Sequence, residues 1–143
     1  MAVDRKAQGK RNRAAGTRFE LKVRKDLESA NYVVSKWMNN VELSEDKEIG
    51  MIVPAKHKFC GPGRPMVIGT GFPDFIVYDL TVKLPQNIVY GVEAKSNGYL
   101  DKVERAKCRF LLDKNIFTRI VIAVKGEKRG EIIYKDFEEE YYA

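Results

Sequence analysis

Two apolar stretches, Asp74-Phe75-Ile76-Val77-Tyr78 and Ile88 to Lys95, are separated by a turn-like region from Thr81 to Asn87 that holds Pro85. Their β-branched and aromatic content argues for strands. Val89-Tyr90-Gly91-Val92 is apolar on both faces, as in the middle of a sheet. A symmetric hairpin centred between Lys83 and Leu84 sets Asp74 opposite Glu93, with the two Cβ atoms roughly 5 Å apart. Alternate strand residues share a face, so Glu93 and Lys95 project together while Ala94 turns to the other layer. Two carboxylates and a lysine therefore converge at one end of the sheet.

Taken singly, these residues are ordinary. An aspartate after Pro73 is a common turn cap, and Glu93 with Lys95 is a same-face ion pair worth under about 1 kcal/mol. Together they form a hard-oxygen site suited to Mg²⁺, with Mn²⁺ as a substitute. The adjacent ammonium can hold a water and offset charge developing on a phosphate.

The surroundings supply further candidates. Thr17 is a helix cap, followed by the stripe Phe19, Val23, Leu27 and Ala30. Glu20 lies at the edge of that stripe and can reach the sheet rim. Tyr32 to Trp37 reads as a first strand. Tyr99 to Asn115 reads as a second helix with Leu100, Val103, Phe110 and Leu111 on one side. Lys107 falls within that stripe, where a lysine is costly unless it is paired or enters a wet cleft. Arg119 to Val124 and Glu131 to Tyr134 are two more strands, joined by the turn Gly126-Glu127-Lys128-Arg129-Gly130. The expected fold is α/β, a single domain with a mixed central sheet flanked by helices. That domain is expected over residues 17–135. Residues 39–72, with Cys60-Gly61-Pro62-Gly63-Arg64-Pro65, read as a long loop insertion.

The chain has 143 residues, 44% hydrophobic and 32% charged, a globular composition. No apolar run approaches the ~20 residues of a membrane span, and two cysteines are too few for a disulfide framework. A cytoplasmic, non-membrane protein is expected. The net charge is +6. Residues 1–16, read as a mobile leader, carry five basic residues against Asp4, and residues 136–143 form a tail with four acidic residues and no basic one. A basic leader and body favour a polyanion, because Lys and Arg displace counterions from phosphates. Arg5, Lys6, Lys10, Arg11, Arg13, Arg18, Lys22, Lys25 and Arg64 are the candidates for backbone contacts. His57, Cys60 and Cys108 fall short of four zinc ligands. The glycine-rich turns lack the Lys-Ser/Thr ending of a phosphate loop, so no nucleotide cofactor is expected.

Phe19-Glu20, Gly71-Phe72-Pro73-Asp74 and Glu93-Ala94-Lys95 together resemble the PD-(D/E)xK nuclease superfamily, the restriction-endonuclease-like fold, over about Gly16 to Val124. Two branches are similar. Archaeal-type Holliday junction resolvases share a basic leader, an early helical glutamate and an ending like Glu93-Ala94-Lys95-Ser96. Virus-type replication-repair (VRR) nucleases share the spacing of Leu100, Glu104, Leu111 and Ile120 to Val124, with Glu104 here in place of a glutamine. The resemblance implies Mg²⁺-dependent endonuclease activity on DNA, branched in the first case and flaps or single strands in the second. It implies that Asp74, Glu93 and the Ala94 carbonyl bind the metal with Glu20 completing the shell, that Lys95 positions the attacking water, and that Lys107 takes the part of the missing glutamine. The resolvase analogy further implies a homodimer. A catalytically silent DNA-binding module and a protein-interaction domain with an acidic tail are the readings from other classes.

Overall fold

The computed structural model describes residues 4–44, 50–55, 57–58, 62–63, 67–68, 71–79 and 89–142. Helix α1 (Arg5–Ser29) is followed by β1 (Tyr32–Lys36), β2 (Asn39–Leu43), β3 (Gly50–Pro54), β4 (His57–Lys58), β5 (Val67–Ile68), β6 (Phe75–Asp79) and β7 (Val89–Ala94). Helix α2 (Lys102–Asp113), β8 (Arg119–Lys125), β9 (Ile132–Asp136) and α3 (Phe137–Tyr142) complete the order. Five strands form one mixed sheet in the order β1-β6-β7-β8-β9. Among the described residues of this sheet, β7 and β8 run parallel, joined through α2, and the other neighbouring strands pair antiparallel.

The β6–β7 register matches the symmetric hairpin, with Phe75 opposite Val92 and Ile76 opposite Gly91. The turn between them lies outside the described residues. One sheet face carries Phe75, Val77, Val92, Val121 and Ala123 against Phe19, Val23 and Leu27 of α1. The other carries Ile120, Ile122 and Val124 against α2 and α3. Each large apolar side chain so buried contributes on the order of 2 kcal/mol.

Four expectations change. Helix α1 starts at Arg5, capped by Asp4, whose Oδ1 accepts from the Lys6 and Ala7 amides. Thr17 is thus interior to the helix, and its hydroxyl donates to the Arg13 carbonyl. Residues 5–16 are helical instead of forming a separate leader. Within 39–72, β2 pairs with β3, and β4 with β5, in place of one long loop. Short strands of this kind are held by their pairing and leave little periodicity to read. Residues 137–142 form α3, with Phe137 fully buried, so the acidic tail is docked on the body. On α2 the buried residues are Cys108, Leu111 and Leu112, whereas Val103 is 44% exposed. That rotation turns Lys107 away from the core and into a cavity. Among the described residues no helix is long and apolar enough to cross a membrane.

Candidate active site

The segment leading into β6 is laced to the end of β1 and the start of β2. Trp37 N–H donates to the Asp74 carbonyl at 3.1 Å, and Phe72 N–H donates to the Asn39 carbonyl at 2.8 Å. This approach requires Gly71, since a Cβ there would stand 2.3 Å from the Trp37 carbonyl oxygen and 2.4 Å from that of Asn39. On β7, Gly91 serves in the same way: a Cβ would meet the Pro73 ring at 2.5 Å. The Phe72–Pro73 peptide is cis.

Where the β6–β7 ladder ends, side chains take over from backbone. The Asp74 amide donates to Glu93 Oε2 at 3.1 Å, and the Ala94 amide donates to Asp74 Oδ2 at 2.8 Å. The two carboxylates are thereby fixed beside one another, 7% and 6% exposed. Burial pushes the Asp74 carboxyl from 3.8 up to about 7, against the lowering effect of the Ala94 hydrogen bond, while Glu20 adds like-charge repulsion. Burial first, and then the charge of Asp74, raise Glu93 well above 4.5. Two like charges held this close retain a proton near neutral pH unless a cation joins them.

Lys95 continues the Glu93 face just beyond the end of β7. Its Nζ lies 2.6 Å from Glu104 Oε2. Partial burial opposes the ammonium charge, but the Glu104 hydrogen bond and charge outweigh it and raise the Lys95 pKa. Glu104 is itself held, because its other oxygen accepts from the Asp101 amide at 3.2 Å while Asp101 caps α2 through the Glu104 amide at 2.8 Å. This capping box fixes the spot at which the Lys95 ammonium rests.

A cavity of about 470 Å³ gathers these groups, lined by Glu20, Asp74, Glu93 and Glu104 against Lys95 and Lys107, with Asn40 and Phe72 in its wall. Lys107 Nζ donates to Asn40 Oδ1 at 3.0 Å and lies 5.6 Å from the centre of the Phe72 ring. Glu20 faces the cavity from α1, its carboxyl raised by burial and partly lowered again by Lys36. The structure thus brings Glu20, Asp74, Glu93, Ala94, Lys95 and Lys107 to one cleft.

Asn40 and Glu104 are the site residues that sequence reasoning did not assign there. Glu104 carries a readable signal, since Asp101-x-x-Glu104 is a capping-box spacing. Asn40 carries none, because its place depends on the β2–β3 pairing. The described basic candidates Arg5, Lys6, Lys10, Arg11, Arg13, Arg18, Lys22 and Lys25 are exposed along α1 outside this cleft. Arg64 lies outside the described residues, as do Cys60 and the side chain of His57.

The donor set suits a hard divalent cation. Four carboxylates against two lysines leave the cavity wall with an acidic surplus, and two of those acids are buried where an uncompensated charge is costly. Among the described residues no group of three or more His, Cys, Asp or Glu side chains is gathered tightly enough to hold a metal ion. The close carboxylate pair is Asp74 and Glu93, with Glu20 in the same cavity and near enough to raise Asp74 by like charge. No protein-family model, no curated protein and no solved structure matches the chain.

Proposed function

We propose that this protein is a restriction-endonuclease-like enzyme that hydrolyses DNA phosphodiester bonds with Mg²⁺, at branched DNA in the manner of a Holliday junction resolvase, and as a homodimer. The observation that carries the reading is the pair of buried carboxylates, Asp74 and Glu93, each tied to the other strand's backbone and standing beside a lysine on the same face. A structural ladder end could use neutral Asn and Gln at lower desolvation cost. Two acids in this place call for a cation.

Asp74 and Glu93 would hold Mg²⁺, with the Ala94 carbonyl as a further hard-oxygen donor and Glu20 within the same cavity. When bound, the ion supplies Lewis-acid polarisation of a phosphate oxygen. Lys95, anchored by Glu104, directs an ammonium N–H at the water or phosphate oxygen in the cleft and offsets developing negative charge. Lys107, steadied by Asn40 and one turn along α2 from Glu104, brings a second ammonium to the same cavity. Phe72 and Phe19, both buried, add apolar surface to the lining of the cavity.

A second reading has its own observation. Glu104, which stands where VRR-type nucleases carry a glutamine, lies in the cavity wall and touches Lys95. The alternative is a VRR-type nuclease that cuts flaps or single strands with the same residues, the glutamate standing as a departure from that family's glutamine.

The test is to offer purified protein a four-way junction, a splayed arm, single strands and linear duplex with Mg²⁺, Mn²⁺ or chelator. Paired nicks across the junction that chelator abolishes support the resolvase reading, and cutting of flaps or single strands supports the VRR reading. No cleavage of any substrate with either metal overturns both and leaves a DNA-binding module.

A further inference from the structure

The β8–β9 turn forms a second concave surface beside the candidate site. A groove of about 340 Å³ runs between this turn and α1, and Lys22, Lys125, Lys128 and Arg129 line it with Glu127 and Glu131. Among the described residues none of its four basic side chains is in an ion pair. Lys125 instead lies 6.0 Å from the centre of the Phe19 ring, and the other three are exposed.

The groove belongs to the same end of the sheet as the carboxylate pair. Because β7 and β8 are parallel, Ala94 and Lys125 finish at the same edge. Two bonds continue the pairing past that edge: the Lys95 amide donates to the Ala123 carbonyl at 2.9 Å, and the Lys125 amide donates to the Ser96 carbonyl at 3.3 Å. The turn is closed by two backbone hydrogen bonds, the Gly126 amide donating to the Glu131 carbonyl at 2.8 Å and the Glu131 amide to the Lys128 carbonyl at 3.1 Å. Phe19 lines both the groove and the candidate active-site cavity. The two depressions therefore meet at one ring, one acidic and the other basic.

From this juxtaposition we infer that the Lys128-Arg129 turn, with Lys22 and Lys125, is a nucleic-acid backbone site that seats phosphates flanking the bond held at Asp74 and Glu93. The inference rests on the phosphodiester reading of the adjoining cavity. A strand carries one phosphate per about 3.4 Å of duplex axis, so a polyanion reaching that cavity extends naturally over its rim. Backbone contacts of this kind add affinity and register without reading sequence.

The test measures binding of a labelled DNA four-way junction, and of a labelled duplex, by fluorescence anisotropy in chelator between about 50 and 200 mM salt. The proteins are wild type, Lys128→Ala/Arg129→Ala, Lys128→Glu/Arg129→Glu, and Lys114→Ala as an exposed control at the far end of α2. Neutralising two phosphate contacts is expected to lower the slope of log affinity against log salt by about 1.8 and the affinity by about tenfold or more. Charge reversal should weaken binding further, Lys114→Ala should not change it, and thermal melting should be alike in all four. Wild-type binding with an unchanged slope in both turn variants would overturn this surface and leave the proposed chemistry standing. Turn-dependent binding without metal-dependent cleavage would support the surface and refute the chemistry. No DNA binding by wild type would overturn both.

Discussion

Asp74 loses its proton near pH 7 in the folded chain, against 3.8 ordinarily, and Glu93 is raised alongside it. A raised carboxyl favours the folded state at low pH, where it is protonated, and that favour is lost as pH climbs from about 4 through about 7. In chelator, the melting temperature of wild type should therefore fall between about pH 5 and pH 8. Asp74→Asn keeps an oxygen for the Ala94 amide but has no charge to bury, so the fall should flatten. The variant should melt higher than wild type at the upper pH, on the order of 5 °C. Circular-dichroism melts at both pH values check this; parallel curves for the two proteins would contradict it.

Glu104 makes a second claim at this scale. Replacing it by Gln keeps an acceptor for the Asp101 amide and removes the charge facing Lys95. The Lys95 pKa should then drop below its wild-type value, read by NMR titration of the lysine side chain. An unchanged titration would show that the ion pair does not set the ammonium's state. Asp74, Glu93 and Lys95 were legible in the sequence because strand alternation and hairpin symmetry fix who faces whom. Glu104 escapes such a reading because the stripe Leu100, Val103, Phe110 and Leu111 holds at Leu100 and Leu111 only, and the buried face of α2 instead runs through Cys108, Leu111 and Leu112, which turns Glu104 inward.

Among the elements, the crossing of the 71–74 segment over the start of β2 is what holds Asp74 against Glu93. Gly71→Ala would drive a methyl into two backbone carbonyls that have no freedom to swing aside. The expected cost is about 2–4 kcal/mol, read as a lowered urea midpoint. Gly16→Ala is the matching control in α1, where a Cβ meets nothing within 4 Å. It should stabilise the protein by about 0.5–1 kcal/mol through helix propensity alone. Equal effects at the two glycines would contradict the crossing as described. The long strands and α2 were legible from composition and period, whereas β2 to β5 were not. Pairs as short as His57 to Lys58 with Val67 to Ile68 carry no pattern of their own. The start of α1 was missed for a related reason: residues 5–16 bury no apolar stripe, so only Asp4 and helical continuity mark them.

Across the whole molecule the charges are sorted. Lys22 of α1 and Lys125, Lys128 and Arg129 at the β8–β9 turn, none of them in an ion pair among the described residues, stand beside the end of the sheet that holds the candidate site. On α3, Glu138 is engaged by Arg109 and Glu140 by Lys135. The acidic segment thus closes on the body and leaves the basic surface open to a polyanion. Single-turnover cleavage of the preferred DNA, measured beside binding in chelator for wild type, Asp74→Asn and Lys95→Ala, reports most directly on the proposed chemistry. Each substitution should slow metal-dependent cleavage by about 10²–10³-fold or more, with DNA affinity held within about twofold for Lys95→Ala, whose ammonium is already engaged by Glu104. Cleavage that persists at the wild-type rate in both variants would contradict catalysis at this cleft.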